Sequence, residues 1–496
     1  MRKTLAILLM MSTSLVPTLA QRVLTLDSCR ALALRNNKQL QAARVKQDVA
    51  ANTRKAARTN FLPKVDAIGG YELMSKEVSL LNDDQKQALS NLGTIVTTNL
   101  GNSLPGMLTN MAQQGLITPQ QAQAFGQVAQ AQMPTVAQSL NAAGNDIRHA
   151  FRTNNRNMFG AAVMLRQPIY MGGAITAGNR MAEINEELTA HATANAEQNT
   201  LYSVDETYWL VVSLEQKNRL ADNFVNLLHK LDADVQKMIN EGVATRADGL
   251  KVAVKVNEAE MQQTQAADGL ALAKMLLCQQ CGLPIESDIK VEENHELANL
   301  TASVAPVPDG EIDLSAREEL KMLQNAIEIS TQATKMARAA ALPQLALTGG
   351  YMLTNPNVYN GYANKFGGVW NVGVLLRVPV WNWQETAYKV RASKALTHIA
   401  SLELEEAREL MELQVNQNRF KVKEADKKYA IALKNVEKAD ENLRCANLGF
   451  NEGVLTATEV MEAQTAWLQA QTQRIDAEID RHLSRSALNK SLGIKL

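Results

Sequence analysis

The residues best suited to metal or redox chemistry are four cysteines and six histidines. Cys278-Gln-Gln-Cys281 has the C-x-x-C spacing shared by redox dithiols and zinc half-sites. Zinc needs two further ligands, and the neighbouring sequence offers no second pair. A redox dithiol belongs beside a βαβ pattern, whereas this pair lies on a helical run. The favoured reading is a set of packing thiols near a helix end. The histidines form neither an H-E-x-x-H motif nor a cluster, and no nucleophile elbow, P-loop or dinucleotide fingerprint is present. The chain is therefore expected to be no enzyme and to carry no metal or cofactor.

A different pattern occurs twice. Residues 451–459 read Asn-Glu-Gly-Val-Leu-Thr-Ala-Thr-Glu, and residues 240–248 read Asn-Glu-Gly-Val-Ala-Thr-Arg-Ala-Asp. The two copies lie 211 residues apart (451 − 240). Gly242 and Gly453 each interrupt a long helix-forming run, and glycine accepts the left-handed conformation that ends a helix. Thr245 and Thr456 suit the cap of the next helix, while Asp248 and Glu459 suit its positive end. Val243 and Val454 fall between glycine and cap. The chain thus makes one hairpin tip twice. Glu462, three residues beyond Glu459, shares its helix face. On residue chemistry alone these acids are a solvated helix start.

The repetition extends beyond the tips. Residues 57–71 and 337–351 share Ala-Arg, Leu-Pro and Gly-Gly-Tyr at an offset of 280, and seven of fifteen positions are identical. Residues 165–170 (Leu-Arg-Gln-Pro-Ile-Tyr) and 376–381 (Leu-Arg-Val-Pro-Val-Trp) return to the offset of 211. The expected organisation is a first repeat over 21–283, a linker over 284–311 and a second repeat over 312–496. The change of offset places an insertion in the first half, at about residues 75–157. It is polar, broken by Pro105, Pro119 and Pro134, with short helices expected at Asp83–Asn91 and Pro119–Gln132.

Each half opens with a helical run, Asp27–Phe61 and Ser315–Leu342, stopped by Pro63 and Pro343. Alternating segments follow. Val65, Ala67, Gly69, Tyr71 and Leu73 share one strand face, as do Leu345, Leu347, Gly349, Tyr351 and Leu353. Phe159, Ala161, Val163 and Leu165 form a partner face, matched by Val372, Val374, Leu376, Val378 and Val380. Each half thus supplies two strands of roughly 9–11 residues, long enough to cross a bilayer. Four strands do not close a barrel, so either the strands form a soluble sheet or several chains pool them.

Asn179–Glu241 and Gln384–Leu448 then run 63 and 65 residues without Gly or Pro. Val415, Val422, Tyr429, Val436, Leu443 and Phe450 recur every seven residues, with Ala425, Ala432, Ala439 and Ala446 three positions later. Leu214, Ala221, Leu228 and Val235 repeat the period in the first half. These are coiled-coil seams with close helix approach at alanine. Aromatics are only 4% and the formal net charge is zero, which argues against one thick core and against nucleic acid. Arg2-Lys3, the apolar stretch Leu5–Met11 and Thr18-Leu19-Ala20 read as a secretory signal over residues 1–20. No later apolar run nears the roughly 20 residues of a membrane helix.

With these features together, the sequence resembles the TolC-type outer-membrane efflux channels over nearly the whole mature chain. The resemblance implies an α+β membrane protein: a long helical coiled-coil barrel continued by an outer-membrane β-barrel. Three chains would pool four strands each, with the helices projecting into the periplasm. It implies a homotrimer that works with a periplasmic adaptor and an inner-membrane pump of RND or ABC type. The insertion would lie at the cell-surface end. The tip residues Gly242, Val243, Thr245, Gly453, Val454 and Thr456 would meet the adaptor. Asp248, Glu459 and Glu462 would ring the aperture, where acids favour cations. The family's gate tyrosine and arginine fall at Phe450 and Leu455, which lack the hydroxyl and the charge. Arg246 is the substitute donor. The rival from another class is a soluble periplasmic coiled-coil scaffold with a small sheet.

Overall fold

A computed structural model describes residues 22–77, 79–91, 133–153, 155–292 and 312–495. The expected signal segment, the expected helix at 119–132 and most of the linker lie outside them. Two compact units divide the chain. One is helical and comprises residues up to Ala57, Thr176–Ala337 and Ala387–Leu496. The other, Arg58–Ile175 with Arg338–Thr386, holds the main sheet.

In the helical unit, strand β1 (Arg22–Leu24) leads into α1 (Leu26–Asn36) and α2 (Lys38–Arg58). The expected single helix is therefore broken, and Asn37 breaks it. Its backbone is extended, and its Oδ1 accepts from the amides of Gln39 at 2.9 Å and Leu40 at 3.1 Å. Its Nδ2 donates to the Gln280 carbonyl at 3.2 Å. Asparagine competes with the helix backbone in this way, restarting a helix rather than continuing it.

The insertion contributes α3 (Asp83–Ser90), as expected, and α4 (Met133–Ala150), which was not. Pro134 reads as a breaker in the sequence but sits in the first turn of α4, where no amide is needed.

The long helices are α5 (Ala174–Asn240) and α6 (Arg246–Cys281) in the first half, and α8 (Glu385–Asn451) and α9 (Ala457–Ser491) in the second. The helix that opens the second half is α7 (Glu318–Ala339). Both α5 and α8 have 67 residues, about 100 Å of helix at ~1.5 Å per residue. Val415, Val422, Leu443 and Phe450 of the expected seam are buried, as are Leu228 and Val235 of its counterpart.

Each half closes on its own beginning. β1 pairs in parallel with β4 (Ile289–Val291), just past the end of α6. Gly282, at φ 68°, ends α6 against Asn36, and Gly493, at φ 73°, stands against Ala316. A Cβ at Gly282 would collide with Asn36, and one at Gly493 would press tightly on Ala316. Arg30 makes a bidentate pair with Asp205, Nε to Oδ1 at 2.8 Å and Nη2 to Oδ2 at 2.6 Å. Ser486 lies 3.3 Å from the same carboxylate, so α1, α5 and α9 meet at one buried charge.

The second unit holds an antiparallel sheet of order β2-β3-β5-β6, formed by Lys64–Leu73, Asn157–Met171, Gln344–Asn355 and Gly367–Arg377. Its register puts Tyr71 opposite Phe159, Val163 opposite Tyr351 and Tyr351 opposite Trp370. One face is thus apolar across all four strands. The other carries Asp66, Gly70, Glu72, Gly160, Thr348, Gly350 and Asn371. β3 runs 15 residues, longer than expected, because a register shift between Pro168 and Tyr170 lets it continue past a residue with no amide. In β6 the chain stops at Arg377, so Val378 and Val380 lie beyond the strand. Among the described residues no helix is long and apolar enough to cross a membrane.

Candidate functional site

The two tips are the same structure built from different side chains. In the first, the Val243 amide donates to the Met238 carbonyl at 2.8 Å and Gly242 donates to Ile239 at 3.0 Å. In the second, Val454 donates to Gly449 at 2.7 Å and Gly453 to Phe450 at 3.0 Å. This paired closure satisfies the last helical carbonyls and requires a left-handed residue. Gly242 and Gly453 supply it, at φ 79° and 74°. Three residues after the glycine in each copy a threonine caps the next helix.

The expected acids complete those caps. Thr245 Oγ1 donates to Asp248 Oδ2 at 2.6 Å, and the Asp248 amide donates back to Thr245 Oγ1 at 3.3 Å. Thr456 Oγ1 donates to Glu459 Oε2 at 2.9 Å, and the Thr456 amide donates to the same oxygen at 2.7 Å. Both tips therefore carry a full capping box. These bonds favour the charged carboxylates. The Thr245 hydroxyl and amide hold Asp248 below the usual aspartate range, and the Thr456 amide and hydroxyl hold Glu459 low.

The remaining candidate residues separate into open and enclosed ones. Val243 and Val454 stand at the apices, 69% and 78% exposed. Arg246 and Glu462 are also exposed. Phe450 is different: it is buried with Leu443, Ala446, Val460 and Ala463 in the core of the tip region. Leu455 is half-buried and folds back over Gly449, where any Cβ would come within 2.8 Å of the leucine side chain. In the first tip the equivalent positions are Met238 and Ala244, so one large and one small residue have exchanged places. The gate positions Phe450 and Leu455 thus pack the hairpin itself.

Equivalent positions also differ in charge. Lys251 Nζ lies 3.4 Å from Asp248 Oδ1, one turn into α6. At the position 211 residues later stands Glu462. The first tip is locally balanced, and the second presents two carboxylates.

Beyond the tips, α6 and α9 border an open groove of about 890 Å³. Leu250, Val254 and Met461 give it an apolar floor, and Lys251, Glu258 and Glu462 stand among its lining residues. Apart from Glu462, these groove residues were missed in the sequence. Their signal was available as the recurrence of Ala247, Leu250 and Val254 along one side of α6. Among the described residues no group of three or more His, Cys, Asp or Glu is placed to hold a metal ion.

Residues 313–494 match the outer membrane efflux protein family. No curated protein matches the chain. Several solved channels share its fold. The Campylobacter jejuni CmeC outer membrane channel superposes with a TM-score of 0.71 at 13% identity, covering 95% of this chain and 86% of that one. The outer membrane protein VceC of Vibrio cholerae gives 0.67 at 12% identity, covering 94% and 96%. The Neisseria gonorrhoeae MtrE outer membrane channel, in its open state, gives 0.65 at 15% identity, covering 95% and 89%. Residues 313–494 thus match an outer membrane efflux protein domain, and the chain has the fold of these outer-membrane channels.

Proposed function

We propose that the chain is the outer-membrane exit duct of a tripartite efflux or type I secretion system. It passes small molecules or polypeptides passively from an inner-membrane pump to the exterior. Three copies pool their sheets into a closed barrel and their long helices into a periplasmic tunnel. A periplasmic adaptor meets the tips and the groove beside them, and the pump supplies the energy.

One observation carries this reading. The sheet's apolar face is bare: Trp370, Val372 and Leu73 are 74%, 69% and 67% exposed. Among the described residues its outer strands β2 and β6 each have one neighbour, leaving two edges without a partner. A soluble scaffold would cover such a face with its own chain. In lipid the bare face is satisfied, but the open edges are not, because each unpaired backbone group costs several kcal/mol there. Closure with further copies removes both edges, which is why the reading requires an oligomer.

In that assembly Asp248, Glu459 and Glu462 border the entrance, and Arg246 is the cationic group available to hold it shut. The test is a planar-bilayer recording on detergent-extracted protein together with its mass in detergent. A conducting trimer is expected. A monomer released with the soluble periplasm, without conductance, overturns the proposal. If Arg246→Ala leaves conductance and leakiness unchanged, Arg246 is no latch.

A further inference from the structure

Three of the four cysteines are brought together at the junction where the first half closes on itself. Cys29 lies on α1, and Cys278 and Cys281 lie on the last turn of α6. All three are fully buried in one cluster with Tyr208, Leu277 and Ile289. All three are free thiols in this structure.

The three are not equivalent. Cys278 Sγ is directed to the Ser287 carbonyl at 3.8 Å, on the side where the chain leaves the helix. Cys281 Sγ is directed to Cys29, 3.7 Å from its carbonyl oxygen, across 252 residues of sequence. The geometry that holds these two together is over-determined. β1 is clipped to β4, Asn37 is bonded to Gln280, Gly282 is wedged against Asn36, and Arg30 is fixed by Asp205. No other residue has to move for the two sulfurs to stay neighbours.

We infer that Cys29 and Cys281 are a disulfide pair, closed during export, that staples the amino-terminal segment to the far end of the first helical hairpin. Cys278 remains a thiol. The inference rests on the export implied by the function proposed above, because disulfides persist in oxidising compartments and not in the cytosol. The step is a thiol–disulfide exchange. The Cys29 and Cys281 thiols together lose two protons and two electrons as the S–S bond forms. A disulfide-donating oxidoreductase of the exporting compartment accepts them and is left as a dithiol. Reaction precedes final burial. In the folded chain both thiols are fully buried, out of reach of an oxidoreductase.

The full-length protein, expressed with export and extracted from membranes, is denatured in an alkylating agent without reductant and mapped by peptide mass spectrometry. A Cys29–Cys281 linked peptide is expected, with only Cys278 and Cys445 alkylated. The link is lost when reductant precedes alkylation. Alkylation of all four cysteines, or a Cys29–Cys278 link, overturns the inference. A Cys278→Ser variant must keep the Cys29–Cys281 link, and its loss there also overturns it. Bilayer conductance of the same preparation is read separately. A conducting protein with four free thiols defeats the disulfide alone, and a linked protein without conductance defeats the duct alone.

Discussion

Thr245 and Thr456 each bind one carboxylate and one helix start, so each tip hangs on a single hydroxyl. Thr456→Val removes the cap and is expected to cost about 1 kcal/mol of local stability. Gly453→Ala forces an L side chain into the left-handed region, at about 1–2 kcal/mol. Both should appear as faster amide exchange confined to residues 449–460. The carboxylates add a pH dependence of fixed sign. Asp248 and Glu459 are held below their ordinary values of 3.8 and 4.5. A depressed folded value contributes stability that is present above the unfolded value and lost as pH falls through the folded one. Tip protection, corrected for intrinsic exchange, is therefore expected to hold at neutral pH and to fall as pH drops below about 4. Combining Thr245→Val with Thr456→Val should flatten that fall; an unchanged profile would show that the caps are not its origin. At this scale the sequence was clear where one residue type has one use, as with Gly242, Thr245 and Asp248. It was opaque at Phe450, which belongs at once to the seven-residue seam and to the gate position. The packing of Leu443, Ala446 and Val460 around it shows the seam role.

At the scale of elements, the two hairpins are within one residue of each other in length and unequal in filling. Gly449 and Leu455 do together what Met238 and Ala244 do in the other copy. Gly449→Met alone drives a side chain into Leu455, and Leu455→Ala alone leaves a void. The double variant restores the volume seen in the first tip. A double-mutant cycle on tip stability, read by protease cleavage rate in the tip, should give a favourable coupling of about 1–2 kcal/mol. Additive effects would mean the two positions do not share one space. The buried pair at the other end of the hairpin is the costlier one to break. Asp205→Ala leaves Arg30 with only the exposed Asp27 at 3.6 Å, in place of a fully buried bidentate partner, at about 3 kcal/mol. Helix existence, strand faces and the reversal points were legible because each follows from periodicity or from a residue with restricted backbone. The break at Asn37 was not, because the carbonyl that receives its side chain lies on Gln280. The same holds for the meeting of Cys29 and Cys281.

For the whole molecule, the two faces of the sheet give a matched comparison. Val372 stands on the bare apolar face, and Asn371 on the opposite one. If the apolar face meets lipid, Val372→Arg is expected to cost about 2–4 kcal/mol near the bilayer centre, and Asn371→Arg far less. Oligomer survival during heating in detergent distinguishes them. Equal loss in both would argue that neither face is in hydrocarbon. Conductance adds a second readout, since only Asn371→Arg should alter ion preference.

The exchange of Lys251 for Glu462 at equivalent places has a consequence for counting. In the trimer proposed above, three copies of this chain would offer six landing places around a ring, alike by backbone alone. By charge they offer three of one kind alternating with three of another. A partner that touches only the turns of the tips can bind six times over. One that reads the first helical turn beyond them must come as two species, or as one species holding two postures.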